Sequence, residues 1–142
     1  MGDPERELFA SDVKKAMVKR DMESLDKLYS WKGVHEIHRD QEWMTWELQF
    51  EMTKDYRFVG IEWVPVTGLE ESMKEYVLNG NRVRNRIHKP NLVIKGGYKV
   101  TWEKEIKVTT NAYTCWLLVG KDEEGKWRGA SITVEEIEGE KD

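Results

Sequence analysis

The apolar residues of this chain change their period once, at Tyr56. Before it they recur at helical spacing, and after it they alternate. That switch limits the fold more than any other feature. Helices belong to the first third, strands to the rest, and a chain ordered this way falls in the α+β class.

The helical third is well punctuated. Asp3 suits a cap, Pro4 a first helical position, and Glu5 and Glu7 the positive end of a helix dipole. Leu8, Phe9, Val13, Ala16 and Met17 then predict a helix over about 4–19. Asp21 reads as the cap of a short second helix carrying Leu25, Leu28 and Tyr29, broken by Ser30-Trp31-Lys32-Gly33. A third helix is expected from near Val34 to no later than Asp55. Ile37, Gln41, Met44 and Leu48 form its stripe, widened by Trp43, Trp46 and Phe50.

Beyond Tyr56, Val59, Ile61 and Trp63 alternate with Gly60 and Glu62, and Pro65 suits a strand end or an edge. Thr67-Gly68 turns the chain, and Leu69 to Glu75 is a loop or a short helical turn. Asn79-Gly80, between Tyr76-Val77-Leu78 and Asn81-Arg82-Val83, is a type I′ hairpin signal. Lys89-Pro90-Asn91 breaks the chain again. Tyr98, Val100, Trp102 and Ile106 alternate with polar residues, as in a strand with one solvated face. Ala112 to Val119 is apolar on both faces and reads as a central strand. A turn over Gly120 to Gly125 leads to a last strand, Trp127 to Ile137, with Ala130, Ile132 and Val134 on one side. The result is N-terminal helices packed on a bent, mainly antiparallel sheet of about five or six strands.

Composition agrees. The 142 residues suit a single domain, with no linker or repeat and a polar acidic tail from about residue 138. Hydrophobic residues reach only 39%, but seven Trp, five Tyr and three Phe supply large side chains to bury, so a packed core is within reach. The net charge of -4 argues against a specific nucleic-acid binder, which needs a basic face. One cysteine, Cys115, allows neither an internal disulfide nor a zinc site built from cysteines. No apolar run is long enough to span a membrane. The polar start is not a signal peptide. Met1-Gly2 fits a native start or one left after removal of a leader, so the expected compartment is the cytoplasm or the exterior.

Ser11 to Trp31, a helix followed by the run Asp21 to Tyr29, resembles the opening of NTF2-like, or cystatin-like, α+β rolls. Tyr76-Val77-Leu78-Asn79-Gly80, Asn91-Leu92, Val119-Gly120-Lys121 and Gly125-Lys126-Trp127 are similar to a group of uncharacterised bacterial proteins. So is Trp31-Lys32-Gly33-Val34 after the second helix. The likeness spans most of the chain, and its motifs are turns and core positions. It departs in the basic Asn81–Lys89 segment and in the longer loop after Gly120. It implies the fold and brings no activity or cofactor with it.

Several residue groups invite chemistry. His35 and His38 lie one helical turn apart, with Glu36, Asp40 and Glu42 near, which suits a divalent metal or a solvated polar face. Their spacing is not that of His-Glu-x-x-His, and the polar-face reading is preferred, with no metal and no cofactor. Proton-transfer chemistry in an NTF2-like cavity needs an acid or histidine aimed into an apolar space. Trp63, Trp102, Tyr113 and Trp116 are expected to line that space, with His38 or Asp40 within reach from the third helix, while Glu62 and Glu103 have the opposite parity. The aromatic set reads as core, with a ligand cage as the alternative. Cys115 reads as a small buried hydrophobe. Arg82, Arg84 and Arg86 share one face of a strand and fit either an anionic partner or, preferred, a solvated face guarding a sheet edge. No phosphate-cradling glycine loop and no Gly-x-Ser-x-Gly elbow is present.

Two functions follow. One is a non-catalytic binding or protein-interaction domain, for a small apolar ligand or a protein, able to form a homodimer. The other is a small isomerase, dehydratase or hydrolase working by acid–base chemistry in the cone of the roll.

Overall fold

Asp3 opens the first helix as its position demands. Its carboxylate accepts from the backbone N–H of Glu5 at 3.0 Å and of Arg6 at 3.2 Å. These bonds, that from Arg6 first, hold the carboxyl below its usual range. The computed structural model describes residues 3–69, 75–78, 81–87, 92–130 and 132–136. Helix α1 runs Pro4–Lys19, α2 Met22–Leu28 and α3 Glu36–Met52. Asp21 caps α2 through Glu23 and Ser24. The third helix starts two residues later than Val34, because the His35 ring nitrogen accepts from the Ile37 N–H and makes His35 the cap. Arg20 ends α1 in the left-handed conformation, φ 50. Its guanidinium donates to the carbonyls of Thr53 at 2.7 Å and Tyr56 at 2.9 Å, tying the ends of α1 and α3 together.

Strands β1 (Arg57–Pro65), β4 (Val93–Ile106), β5 (Thr109–Lys121) and β6 (Trp127–Gly129) form one antiparallel sheet in the order β1-β4-β5-β6. Strands β2 (Glu75–Leu78), β3 (Asn81–Ile87) and β7 (Ile132–Glu136) form a second, in the order β2-β3-β7. The fold is therefore α+β, with three helices and a four-stranded antiparallel sheet among the described residues. The strands predicted for one sheet are divided between two. The division comes at Ala130, where the predicted strand Trp127–Ile137 leaves the first sheet; its second part, β7, pairs with β3. Leu78 pairs with Asn81, but Asn79-Gly80 themselves lie outside the described residues. So do most of the Leu69–Glu75 loop, the Lys89-Pro90-Asn91 break and the acidic tail.

Asp122 builds the β5–β6 turn. Its carboxylate accepts from the N–H groups of Glu124 and Lys126, both at 2.9 Å, and Gly125 supplies the φ of 77 that the turn requires.

One face of the four-stranded sheet carries the core. Trp63 pairs with Tyr98, Ile61 with Val100 and Phe58 with Trp102 across β1 and β4. Leu117, Cys115 and Tyr113 continue these rows on β5. Phe9, Val13, Ala16 and Met17 of α1, Leu25 of α2, and Trp46 and Phe50 of α3 belong to the same cluster. Leu8, counted above among the periodic residues of α1, is exposed.

Candidate functional site

The third helix does not pack as its aliphatic stripe predicts. Its buried residues are Glu42, Trp46 and Phe50. Ile37, Met44 and Leu48 are 58%, 65% and 60% exposed, and Met52, on the same line, is 51% exposed. The sequence offers two apolar faces on this helix, and the aromatic one is buried. A Trp or Phe removes more area from water than an Ile, Met or Leu, so that choice is the more stabilising. Left outside is a row of four large apolar side chains at helical spacing. Each has an exposed acid one residue before it or before the neighbouring Gln41: Glu36, Asp40, Glu47 and Glu51. The opposite flank carries His38, Thr45 and Gln49, so the stripe has one acidic border and one without carboxylates.

The inward face bears on the expected pocket. Trp63 stands between Tyr98 at 5.1 Å and Trp127 at 5.6 Å, with the Arg6 guanidinium 4.8 Å from its ring. Trp102 is fully buried among Phe50, Phe58 and Tyr113. These three predicted lining residues, Trp63, Trp102 and Tyr113, are together on the core face, where side chains fill the space between the helices and the sheet. Trp116 is not with them. It pairs with Lys99, one residue out of step with Cys115 and Leu117, and so stands on the other face of the sheet. Glu62 and Glu103 are on that outer face too, as their parity requires; Glu103 bridges Arg57 at 3.0 Å.

His38 and Asp40 lie toward the surface of α3. The acid that does turn inward is Glu42, 8% exposed. It lies beside the Tyr29 hydroxyl, which accepts the indole N–H of Trp46 at 2.6 Å. Burial pushes the Tyr29 hydroxyl well above the usual tyrosine range, the Glu42 charge adds to this, and the Trp46 bond opposes it. A cleft of about 10 Å³ opens here between α2 and α3, lined by Met22, Leu25, Asp26, Tyr29, Trp31, Glu42, Trp43 and Trp46. Reading the sequence weighed Glu42 only as a metal ligand. Its place one turn before Trp46, on the aromatic face, was the available sign of its direction.

The metal reading loses its third member in this arrangement. The rings of His35 and His38 are 6.3 Å apart, but His35 spends a nitrogen on the α3 cap and Glu42 belongs to the buried face. No cluster of three or more His, Cys, Asp or Glu fit for a metal occurs among the described residues.

Arg82, Arg84 and Arg86 fall at alternate positions of β3, in register with Val77, with Glu75 and Glu135, and with Thr133. Their side chains lie outside the described residues. Strand β3 is the middle strand of its sheet; of the three positions, Arg84 is paired on both sides, Arg82 with β2 only and Arg86 with β7 only. An open groove of about 290 Å³ also runs between α1 and α2, walled by Asp12, Lys15, Lys19, Ser24, Lys27 and Leu28. Lys19 and Lys27 sit in the last turns of their helices, where a cation complements the dipole.

Cys115 is buried, and burial pushes its thiol up to about 12. A thiol kept neutral is neither a nucleophile nor a metal ligand. It is expected to react with a disulfide reagent at about pH 8 only after unfolding. Because the folded value lies above the unfolded one, the stability from keeping the thiol neutral is whole below about 9 and drains away as pH rises toward 12. Rapid labelling of the native protein would contradict this burial.

No helix among the described residues is long and apolar enough to cross a membrane. The chain matches no family model, no curated protein and no solved structure.

Proposed function

We propose that the protein is a non-catalytic protein-interaction domain, and that the outward face of α3 is its recognition surface. The observation that carries this reading is the exposed row Ile37, Met44, Leu48 and Met52, placed opposite the side that the helix buries. Single exposed apolar residues are ordinary, whereas a contiguous row marks an interaction site. An amphipathic helix laid along such a row anchors at the same spacing. The acidic border Glu36, Asp40, Glu47 and Glu51 selects a partner helix with lysine or arginine along one flank. It also disfavours a second copy laid antiparallel on the first, since the acidic borders would then face each other.

The relationship proposed for the fold is to the NTF2-like, cystatin-like rolls, supported by the N-terminal helices on an antiparallel sheet. On this reading the two sheets are limbs of one bent roll, with the chain passing between them after Ala130. The enzymatic alternative is disfavoured by the filled core face. The cleft beside Glu42 has room for about one water, against the several hundred Å³ of ordinary ligand sites.

Methionine methyl resonances test the proposal. A synthetic amphipathic helix of leucine and lysine should shift the methyls of Met44 and Met52 and leave that of Met17, in the core, unmoved. The double variant Met44→Glu, Leu48→Glu should abolish the shift of the Met52 methyl, the reporter it retains, at an unchanged thermal midpoint, since surface substitutions stay within about 0.5 kcal/mol. Equal shifts from a leucine–glutamate peptide, or shifts from neither peptide, would refute it.

A further inference from the structure

The cleft between α2 and α3 combines two features that attract the same ligand. Tyr29, Trp31, Trp43 and Trp46 give it aromatic walls, and Asp26 and Glu42 give it carboxylates. Aromatic faces draw cations, more strongly once water is excluded, and a carboxylate in the same small space adds to the attraction. Its volume, about 10 Å³, admits a group the size of a water molecule or a primary ammonium head. A quaternary ammonium is too large.

Two further observations concern Asp26. Its Oδ1 is buried and has no hydrogen-bond partner among the described residues, although Oδ2 accepts from Arg39 at 2.8 Å. An orphaned carboxylate oxygen is costly and calls for a donor. Arg39 also places its guanidinium 5.1 Å from the centre of the Trp31 ring. The chain thus already holds one cation against this aromatic–carboxylate pair. A guanidinium is too broad for a water-sized space, and the Arg39 side chain, about half exposed, stays outside.

We propose that the α2–α3 cleft binds the primary ammonium head of a small amine, which donates to Asp26 Oδ1 between the rings of Trp31, Trp43 and Trp46. The alkyl part of the amine extends past Arg39 into solvent. This site is separate from the outward stripe of α3, and neither depends on the other.

The test is a titration with n-butylamine at neutral pH, with n-butanol and butyrate as neutral and anionic counterparts, read on the indole N–H signals. Saturable shifts at Trp31, Trp43 and Trp46 are expected from the amine alone, with the Trp102 signal as an unmoved control. Asp26→Asn should weaken binding about tenfold or more at an unchanged thermal midpoint. Should Asp26→Asn fail to fold, Trp43→Leu is expected to give a similar loss. Arg39→Ala should tighten binding by freeing Asp26 Oδ2. Equal shifts from butanol would mean that the cleft takes a neutral group and would overturn the proposal. So would the absence of saturable shifts, or full affinity in the folded Asp26→Asn or Trp43→Leu protein.

Discussion

Replacing Trp102 by alanine is expected to lower the stability of the protein by about 3–5 kcal/mol. The indole is fully buried at the middle of β4, and the rings of Phe50, Phe58 and Tyr113 lie 6.4, 6.2 and 6.5 Å from it. Those three rings come from α3, β1 and β5, so the void would open where the helical layer meets the sheet. The walls cannot collapse into it without moving whole elements, and loss of packing therefore adds to the lost transfer energy. One factor works the other way: the Trp102 indole N–H has no partner among the described residues, so its removal forfeits no hydrogen bond. Against a typical total stability of about 5–15 kcal/mol, the loss would be decisive. Urea unfolding with an unchanged slope measures it. A loss below about 1 kcal/mol would show that Trp102 is not the keystone of this core.

Gly96→Ala should be damaging for the opposite reason, an excess of atoms. A Cβ at this position would run into the backbone carbonyl oxygen of Val64 and come within 2.8 Å of the Trp63 ring. Neither can yield cheaply. Val64 belongs to the ladder that pairs Pro65 with Gly96, and Trp63 is held between Tyr98 and Trp127. The expected cost is about 3 kcal/mol, the upper part of the range for overpacking. Gly60→Ala is the control. A Cβ there meets nothing within 4 Å, and its backbone is not left-handed, so the change should be close to neutral. If the two variants unfold at the same denaturant concentration, the close approach of β1 to β4 at Gly96 is not what this structure describes.

The parts of the fold that could be read from the sequence are those written in local chemistry. Asp3-Pro4 and Asp21 place α1 and α2 because a cap satisfies orphan N–H groups wherever the helix is going. Alternation placed β1 and β4 for a similar reason. What could not be read was the choice between equivalent faces. On α3, periodicity shows two apolar stripes and cannot say which meets the sheet; that depended on the area each could bury. On β5, a run apolar on both faces does not say which parity meets the core, although the odd spacing of Tyr113 and Trp116 already sets them on opposite faces. The β4–β5 hairpin was also silent. Its turn places Lys107 at φ 60, a conformation usually announced by glycine or asparagine. The divided last strand escaped notice because Gly129-Ala130 interrupts the apolar pattern too briefly to read as a break.

The candidate site was legible in its ingredients and not in its assembly. The aromatic surplus pointed to the space between the helices and the sheet, and Trp63, Trp102 and Tyr113 are there. The acid that turns inward from the helix is Glu42 rather than His38 or Asp40, and it does so in the α2–α3 cleft beside Tyr29, one turn before Trp46 on the buried face.

The contact between the end of α2 and β6 bears on how the chain is made. Tyr29 bridges Gly129, and the Ser30 N–H donates to the Gly129 carbonyl at 3.2 Å. On a ribosome α2 emerges well before β6, the strand that closes against its end. Until the strands that cover them follow, Phe9, Val13, Met17 and Trp46 lack their partners in the core cluster. Slow, late closure of this kind is typical of folds dominated by distant contacts. Chaperone binding to nascent chains should consequently persist until β6 has left the exit tunnel.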